Sequence, residues 1–161
     1  MFRALNRTRQ LIGVLVFGLG VASCGGLPSL DDLNALSERS LRPDGAVLVS
    51  HNEHPAESTI EGPIPAITAD VLGTDLTPAA VYAWYDDALR AAGWTRDPGD
   101  LMNVRTTTEE SAQAWRRNDV VARVAILLKG DPRNPPAEGH ETLYELAFAA
   151  TARQSFAPMP T

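Results

Sequence analysis

The sequence predicts an α+β protein: an antiparallel sheet of four to five strands with one main helix packed on one face, plus an N-terminal signal helix. Three observations carry this. Pro78 to Ala92 is an amphipathic stretch with start signals at Thr77-Pro78 and a stop at Gly93. Several short runs, notably 120–128 and 142–152, alternate apolar residues with period two between turn-forming clusters. Residues 11–22 form an apolar run behind a basic start. Strands gathered around a single helix favour an antiparallel sheet crossed by that helix.

Taken in order, Arg3, Arg7 and Arg9 precede the apolar run LIGVLVFGLGVA. That run fits a signal-peptide core and stops at Ser23, before Gly25, Gly26 and Pro28, short of the roughly 20 apolar residues that a membrane span requires. Residues 1–23 are therefore expected to be a removed signal peptide. Cys24, the single cysteine, closes the run Val21-Ala22-Ser23-Cys24. Residues 24–43 read as a tether followed by a weak helix from about 30 to 39, with Ser29 and Asp32 as a capping box and Leu30, Leu33 and Leu36 on related faces. A helix so short is marginal alone, so it either docks on the domain or frays.

The folded domain is expected to span residues 44–153. Ala46 to Val49 and Ala66 to Leu72 are strand candidates on either side of a polar loop from Asn52 to Glu61. In the main helix Thr77 can cap, Pro78 suits the first turn, where its missing N–H has no intrahelical partner, and Gly93 supplies the left-handed stop. Val81, Trp84, Tyr85, Ala88, Leu89 and Ala92 form its apolar face, and Trp94 is placed to fold back over the end. A weak extended segment near Trp94–Asp97 or 101–106 follows. Ser111–Arg116 and Val120–Leu128 flank Arg117-Asn118-Asp119, where Asn tolerates the positive φ of a tight hairpin. Val120, Ala122, Val124, Ile126 and Leu128 make the better core face of the second strand. After a Pro/Gly-rich loop, a last strand from Thr142 to Ala152 alternates Tyr144, Leu146, Phe148 and Ala150. Residues 154–161 read as a disordered tail. The uncovered sheet face is left for the weak N-terminal helix, the tether or a partner.

Val21-Ala22-Ser23-Cys24 behind this basic and apolar start resembles the lipobox of bacterial lipoproteins. The resemblance implies that the Cys24 thiol receives a diacylglyceryl group, that cleavage precedes it, and that the new amino terminus is acylated. The protein would then be lipid-anchored at the outer face of the cell membrane. Further along, Thr77-Pro78, Tyr82 to Tyr85, Leu89, Gly93-Trp94 and Trp115-Arg116-Arg117-Asn118-Asp119 are similar in spacing to small lipoproteins of high-GC Gram-positive bacteria, over roughly residues 65–152. Thirteen arginines against the single Lys129 agree with such a genome. This likeness implies a location and a fold and carries no catalytic residue.

Charge narrows the partners. The formal net charge is -6, and loss of the three signal-segment arginines takes it to -9, which disfavours nucleic acid and anionic lipid surfaces. With one cysteine no disulfide forms within the monomer, so the core must hold the fold.

No catalytic constellation emerges and no cofactor is expected. His51, Glu53 and His54, with Glu57 and Glu61, are the densest set of possible metal ligands. Pro55 argues against a helical ligand pair, and a solvated loop is the expectation, so no metal site is assigned. His140 stands alone in a Pro/Gly loop and is given no role. The adjacent carboxylates Asp86-Asp87 and Glu109-Glu110 diverge on any regular element and are expected to be solvated. Trp84, Tyr85, Trp94, Trp115, Tyr144 and Phe148 are expected to be mainly core. The functional expectation is a non-enzymatic binding module for an envelope protein partner, acting through the uncovered sheet face or edge. The alternative is a carrier of a small apolar ligand or lipid in a cavity lined by Val81, Trp84, Leu146 and Phe148. Cys24 is the one site residue assigned.

Overall fold

The computed structural model describes residues 27–60, 62–99, 109–137 and 139–151. The expected signal segment 1–23, Cys24, Glu61, the extended segment 101–106 and the tail 154–161 lie outside the described residues. Among the described residues no helix is long and apolar enough to cross a membrane.

A short helix α1 (Leu30–Asn34) and a 3-10 turn (Ser37–Ser40) lead into β1 (Val47–His54), β2 (Glu57–Thr59), β3 (Gly62–Ile64) and β4 (Ile67–Thr74). Then come α2 (Pro78–Ala91), β5 (Thr95–Arg96), β6 (Glu109–Arg117), β7 (Val120–Leu127) and β8 (Thr142–Ala150). The main sheet is antiparallel in the order β1-β4-β8-β7-β6-β5, while β2 and β3 pair as a separate hairpin. The architecture is thus α+β, mostly antiparallel sheet with one main helix.

The strand count exceeds the expected four to five: Thr95–Arg96 pairs with β6 as a sixth strand, and part of the stretch expected to be loop from Asn52 forms a separate hairpin. The start of that stretch is strand as well: Asn52 pairs with Ala69 and His54 with Ile67, lengthening β1. An edge strand tolerates polar residues on both faces, so hydrophobicity under-reports it. The rest of that stretch folds into the β2–β3 hairpin.

The caps form as their chemistry dictates. Thr77 Oγ1 accepts from the Ala80 N–H, and Trp94 donates back to the Leu89 carbonyl while Gly93 takes φ +83°. Asn118 holds φ +55° in the β6–β7 hairpin. Ser29 and Asp32 close a reciprocal capping box on α1.

The core lies between α2 and one sheet face. Val81, Tyr85 and Leu89 from α2 meet Leu72, Trp115, Val124, Tyr144, Leu146 and Phe148, all fully or nearly fully buried. Tyr85 packs edge-on against Tyr144, and Trp94 against Phe148, arrangements that suit the ring quadrupoles. Tyr85 Oη also donates to the Leu41 carbonyl at 3.0 Å, tying the N-terminal segment to the helix.

That segment docks rather than frays, and on the same face as α2. Leu33 is buried in the common core, with Leu30, Leu36 and Leu41 packed against it. Polar contacts close it at both ends. Glu38, almost fully buried, receives a two-pronged hydrogen bond from Arg117, whose guanidinium lies 4.7 Å over the Trp94 ring and also donates to the Ala92 carbonyl. Burial would raise the Glu38 carboxyl, but the bonds and charge of Arg117, together with the Glu38 backbone N–H and Trp94, hold the group below its ordinary value. The opposite sheet face is therefore not covered by the N-terminal helix.

Candidate functional site

Strand register assigns each residue to a face, and the face away from α2 has a pattern of its own. Neighbours along one row are Asn52, Ala69, Ala147, Arg123 and Ala114. The next row is His54, Ile67, Ala149, Val121 and Arg116, and on the other side lie Ser50, Val71, Glu145, Ala125 and Ala112. Alanines thus carpet the middle of the face. Where larger side chains border them, a depression results.

Two neighbouring hollows occupy this face. The first, of about 430 Å³, lies over Ala69, Ala147 and Ala149, between Ile67, Val121 and Arg123. The second, of about 490 Å³, is bounded by Val71, Leu127, Arg133, Asn134 and Pro135. Asn52 and Glu145 border both, so the two form one trough. The first end is lined mainly by aliphatic groups, and the second is more polar. Beyond the second hollow, the 128–141 loop folds over the sheet end. Ala137 packs on Val71, Leu127 and Leu143, and His140 lies against Gly73 so closely that a Cβ there would fall 2.2 Å from the His140 ring.

Arg123 is the charged residue in the otherwise apolar strand β7. It is only 4% exposed, and its Nη2 donates to Glu109, whose side chain is equally buried. Nη1 stands 3.6 Å from Glu145, an ion-pair distance but too long for a hydrogen bond, and Nη1 and Nε, both shut off from solvent, make no hydrogen bond among the described residues. A buried guanidinium with two donors outside any hydrogen bond is costly, and its pairing with Glu109 and Glu145 offsets part of that cost. Burial pushes the Glu145 carboxyl above its ordinary value, against the pull of Arg123 and with a further push from Glu109.

The expected ligand cluster in β1 divides by the strand's period of two. His51 and Glu53 face the α2 side, while Asn52 and His54 face the trough. His51 Nδ1 donates to Asp70 at 2.5 Å, and Nε2 lies 3.1 Å from Glu53. Arg39 bonds Asp70 at 3.2 Å and Asn34 bonds Glu53 at 2.8 Å, so these groups latch the N-terminal segment to the sheet. Its bond to Asp70, then that to Glu53, raises the His51 pKa, and the same contact with His51 lowers that of Glu53. A guanidinium in the cluster, with the ring nitrogens engaged, makes this an ion-pair network rather than a ligand set. His54 makes a contact only with the Pro55 carbonyl among those described.

Of the two carboxylate pairs expected to be solvated, each has one member at work inside the fold. Asp86 accepts from the Trp115 indole at 2.9 Å and from Arg96 at 3.0 Å, bracing α2 against β5 and β6. Glu109 pairs with Arg123, whereas Asp87 and Glu110 point to water. The sequence reading missed Arg123, yet its signal was present: one charge inside the apolar run VVARVAIL, on the face opposite the core positions. The interior where an apolar ligand was alternatively expected holds Val81, Leu146 and Phe148 packed against one another. Cys24 lies outside the described residues. Comparison with family models, curated proteins and solved structures gives no match to this chain.

Proposed function

We propose that the chain is a lipid-anchored, extracytoplasmic binding protein, without enzymatic activity, that receives an envelope partner in the trough on the sheet face away from α2. The observation that carries the reading is the mainly apolar hollow over Ala69, Ala147 and Ala149, with Arg123 and Glu145 among its lining residues. Sites for organic ligands or anchoring side chains are concave, mainly apolar and contain a few placed polar groups. The basic start, apolar run and Cys24 of the sequence support anchorage. Two or three acyl chains hold a protein stably at a bilayer, which concentrates it near membrane partners and lets a weak site suffice.

Chain entry agrees with such a role. The segment from Leu30 to Ser40 packs on the α2 side, away from the trough. The test has two stages. Mass spectrometry of the mature amino terminus should find an acylated Cys24, and Cys24→Ser should release the protein from the membrane. Crosslinking in the native envelope should then lose its neighbours in the released variant; unchanged neighbours would contradict selection by anchorage.

A further inference from the structure

The dimensions of the trough select the shape of its occupant, on the reading that the trough is the binding surface. Its floor is β4 and β8, and its banks are β1, through Ser50, Asn52 and His54, and β7, through Val121, Arg123 and Leu127. Bank to bank is three interstrand spacings, about 14 Å. The floor runs along the strands from Ile67 and Ala149 to Val71 and Glu145, about 13 Å. The 128–141 loop closes the far end, where Ala137 packs on Val71 and Leu143. A helix is about 10–12 Å across and covers that length in about nine residues, whereas an extended strand fills only about 5 Å of the width.

Backbone chemistry agrees. β4 and β8 are each paired with a strand on both sides, so the floor offers no partner to the N–H and C=O groups of an extended segment laid on it. A helix satisfies its own. The methyl-sized floor residues Ala69, Ala147 and Ala149 leave the first hollow, of about 430 Å³, to bulky apolar side chains, with Ile67 and Val121 beside them.

Charge fixes the polar anchor. Arg123 is out of reach: Nη1 and Nε are shut off from solvent, and Nη2 is bonded to Glu109. Glu145 is within reach, 29% exposed on its side chain and lining both hollows. Its cation among the described residues is that same Arg123, 3.6 Å away and shared with Glu109. Arg133, on the second hollow, brings no surplus positive charge, because Asp131 meets it at 2.7 Å. The reachable charge on the floor is therefore negative. Burial holds the Glu145 carboxyl above its ordinary value despite Arg123, as befits a carboxylate short of positive charge. A carboxylate or phosphate would be repelled there, and an uncharged group would bury Glu145 further without compensation. A Lys or Arg supplies the missing charge.

We infer that the trough seats a helix of the envelope partner, with bulky apolar residues at i, i+3/i+4 and i+7 over Ala69, Ala147 and Ala149 and one Lys or Arg at the loop end against Glu145. The partner is a different protein. Among the described residues α2 is the helix of suitable length, and its exposed stripe, Ala79, Ala83, Asp87 and Arg90, is too small to fill the hollow and carries an acid within it.

Photocrosslinking of the full-length protein in its native envelope tests this, with benzoylphenylalanine at Asn52, on the exposed bank where both hollows meet. Sequencing of the adducts should locate one segment of a different protein, containing a Lys or Arg, that is helical by difference circular dichroism when bound as a synthetic peptide. Glu145→Gln should keep the thermal melt of wild type and cut the adduct yield about tenfold. Exchanging the partner's cation for Glu should do the same on wild-type protein, a result that needs no variant of this chain to fold, and Glu145→Lys should restore yield to that exchanged partner. Yield indifferent to Glu145→Gln and to the partner's exchange, a contacted segment without a cation or extended when bound, or adducts to a second copy of this chain overturn the assignment and leave the binding role standing. Absence of any protein adduct from position 52 overturns both.

Discussion

Replacing Arg117 with Met keeps most of the side chain's length and removes its charge, which isolates the clamp between the N-terminal segment and α2. In the native protein Arg117 satisfies both oxygens of Glu38, which is 5% exposed. Breaking a buried ion pair from one side costs about 3–5 kcal/mol, because a charge is stranded. Arg117 itself is 31% exposed on its side chain, so water relieves part of that, and about 2 kcal/mol is the expected remainder. Loss of the stacking over Trp94 at 4.7 Å adds roughly 0.5–1 kcal/mol. Urea unfolding at pH 7 should therefore show Arg117→Met about 2–3 kcal/mol less stable than wild type.

The pH dependence sharpens this test. The Glu38 carboxyl is depressed in the folded protein, so its contribution is present above its unfolded value and fades as pH falls through the folded one. The gap between wild type and Arg117→Met should thus be widest near neutrality and narrow in acid. The double variant Glu38→Gln/Arg117→Met should recover about 1 kcal/mol or more by removing the stranded charge. A gap below about 1 kcal/mol at pH 7, or one that persists unchanged in acid, would show an ordinary surface pair and refute the clamp.

Other substitutions test the remaining devices. His51 is raised by Asp70 and Glu53, so its contribution is complete below its unfolded value of about 6.5 and lost as pH rises through the raised folded value. Urea melts of wild type and His51→Gln should differ near pH 6, by less than about 1 kcal/mol given the exposure, and converge by about pH 9. Gly73→Ala should destabilise by about 1–2 kcal/mol through the His140 ring, and His140→Ala should restore most of it; additive losses in differential scanning would contradict that contact. Asn118→Val should cost about 1–2 kcal/mol for its positive φ, whereas Asn118→Gly should be close to neutral in the same measurement.

Elements governed by strong local rules were legible. The Thr77 cap, Pro78, Gly93 and the i, i+3/i+4 spacing located α2 to within a residue or two, and alternation in β7 identified the core face through Val124 and Ile126. What was not legible depended on tertiary context. Register with β4 made His51 to His54 a strand, and no local preference announces that pairing. The N-terminal segment is marginal alone and gains its structure from Leu33 and Glu38 meeting α2 and β6 side chains far along the chain. The trough emerges only when Ala69, Ala147 and Ala149, from two strands separated by some eighty residues, fall on one face. Arg123 did carry a sequence signal, a charge in an apolar strand, but its partner Glu109 comes from a neighbouring strand and had been read as solvated.

The central claim is that an anchored protein binds through the trough face. The most direct measurement places a photoreactive side chain at Ala147, on the trough floor, or at Ala83, exposed on α2, and collects adducts in the native envelope. The account expects adducts from position 147 that disappear with Cys24→Ser, and none above background from position 83. Equal adducts from both positions, or adducts at 147 unaffected by release from the membrane, would contradict it.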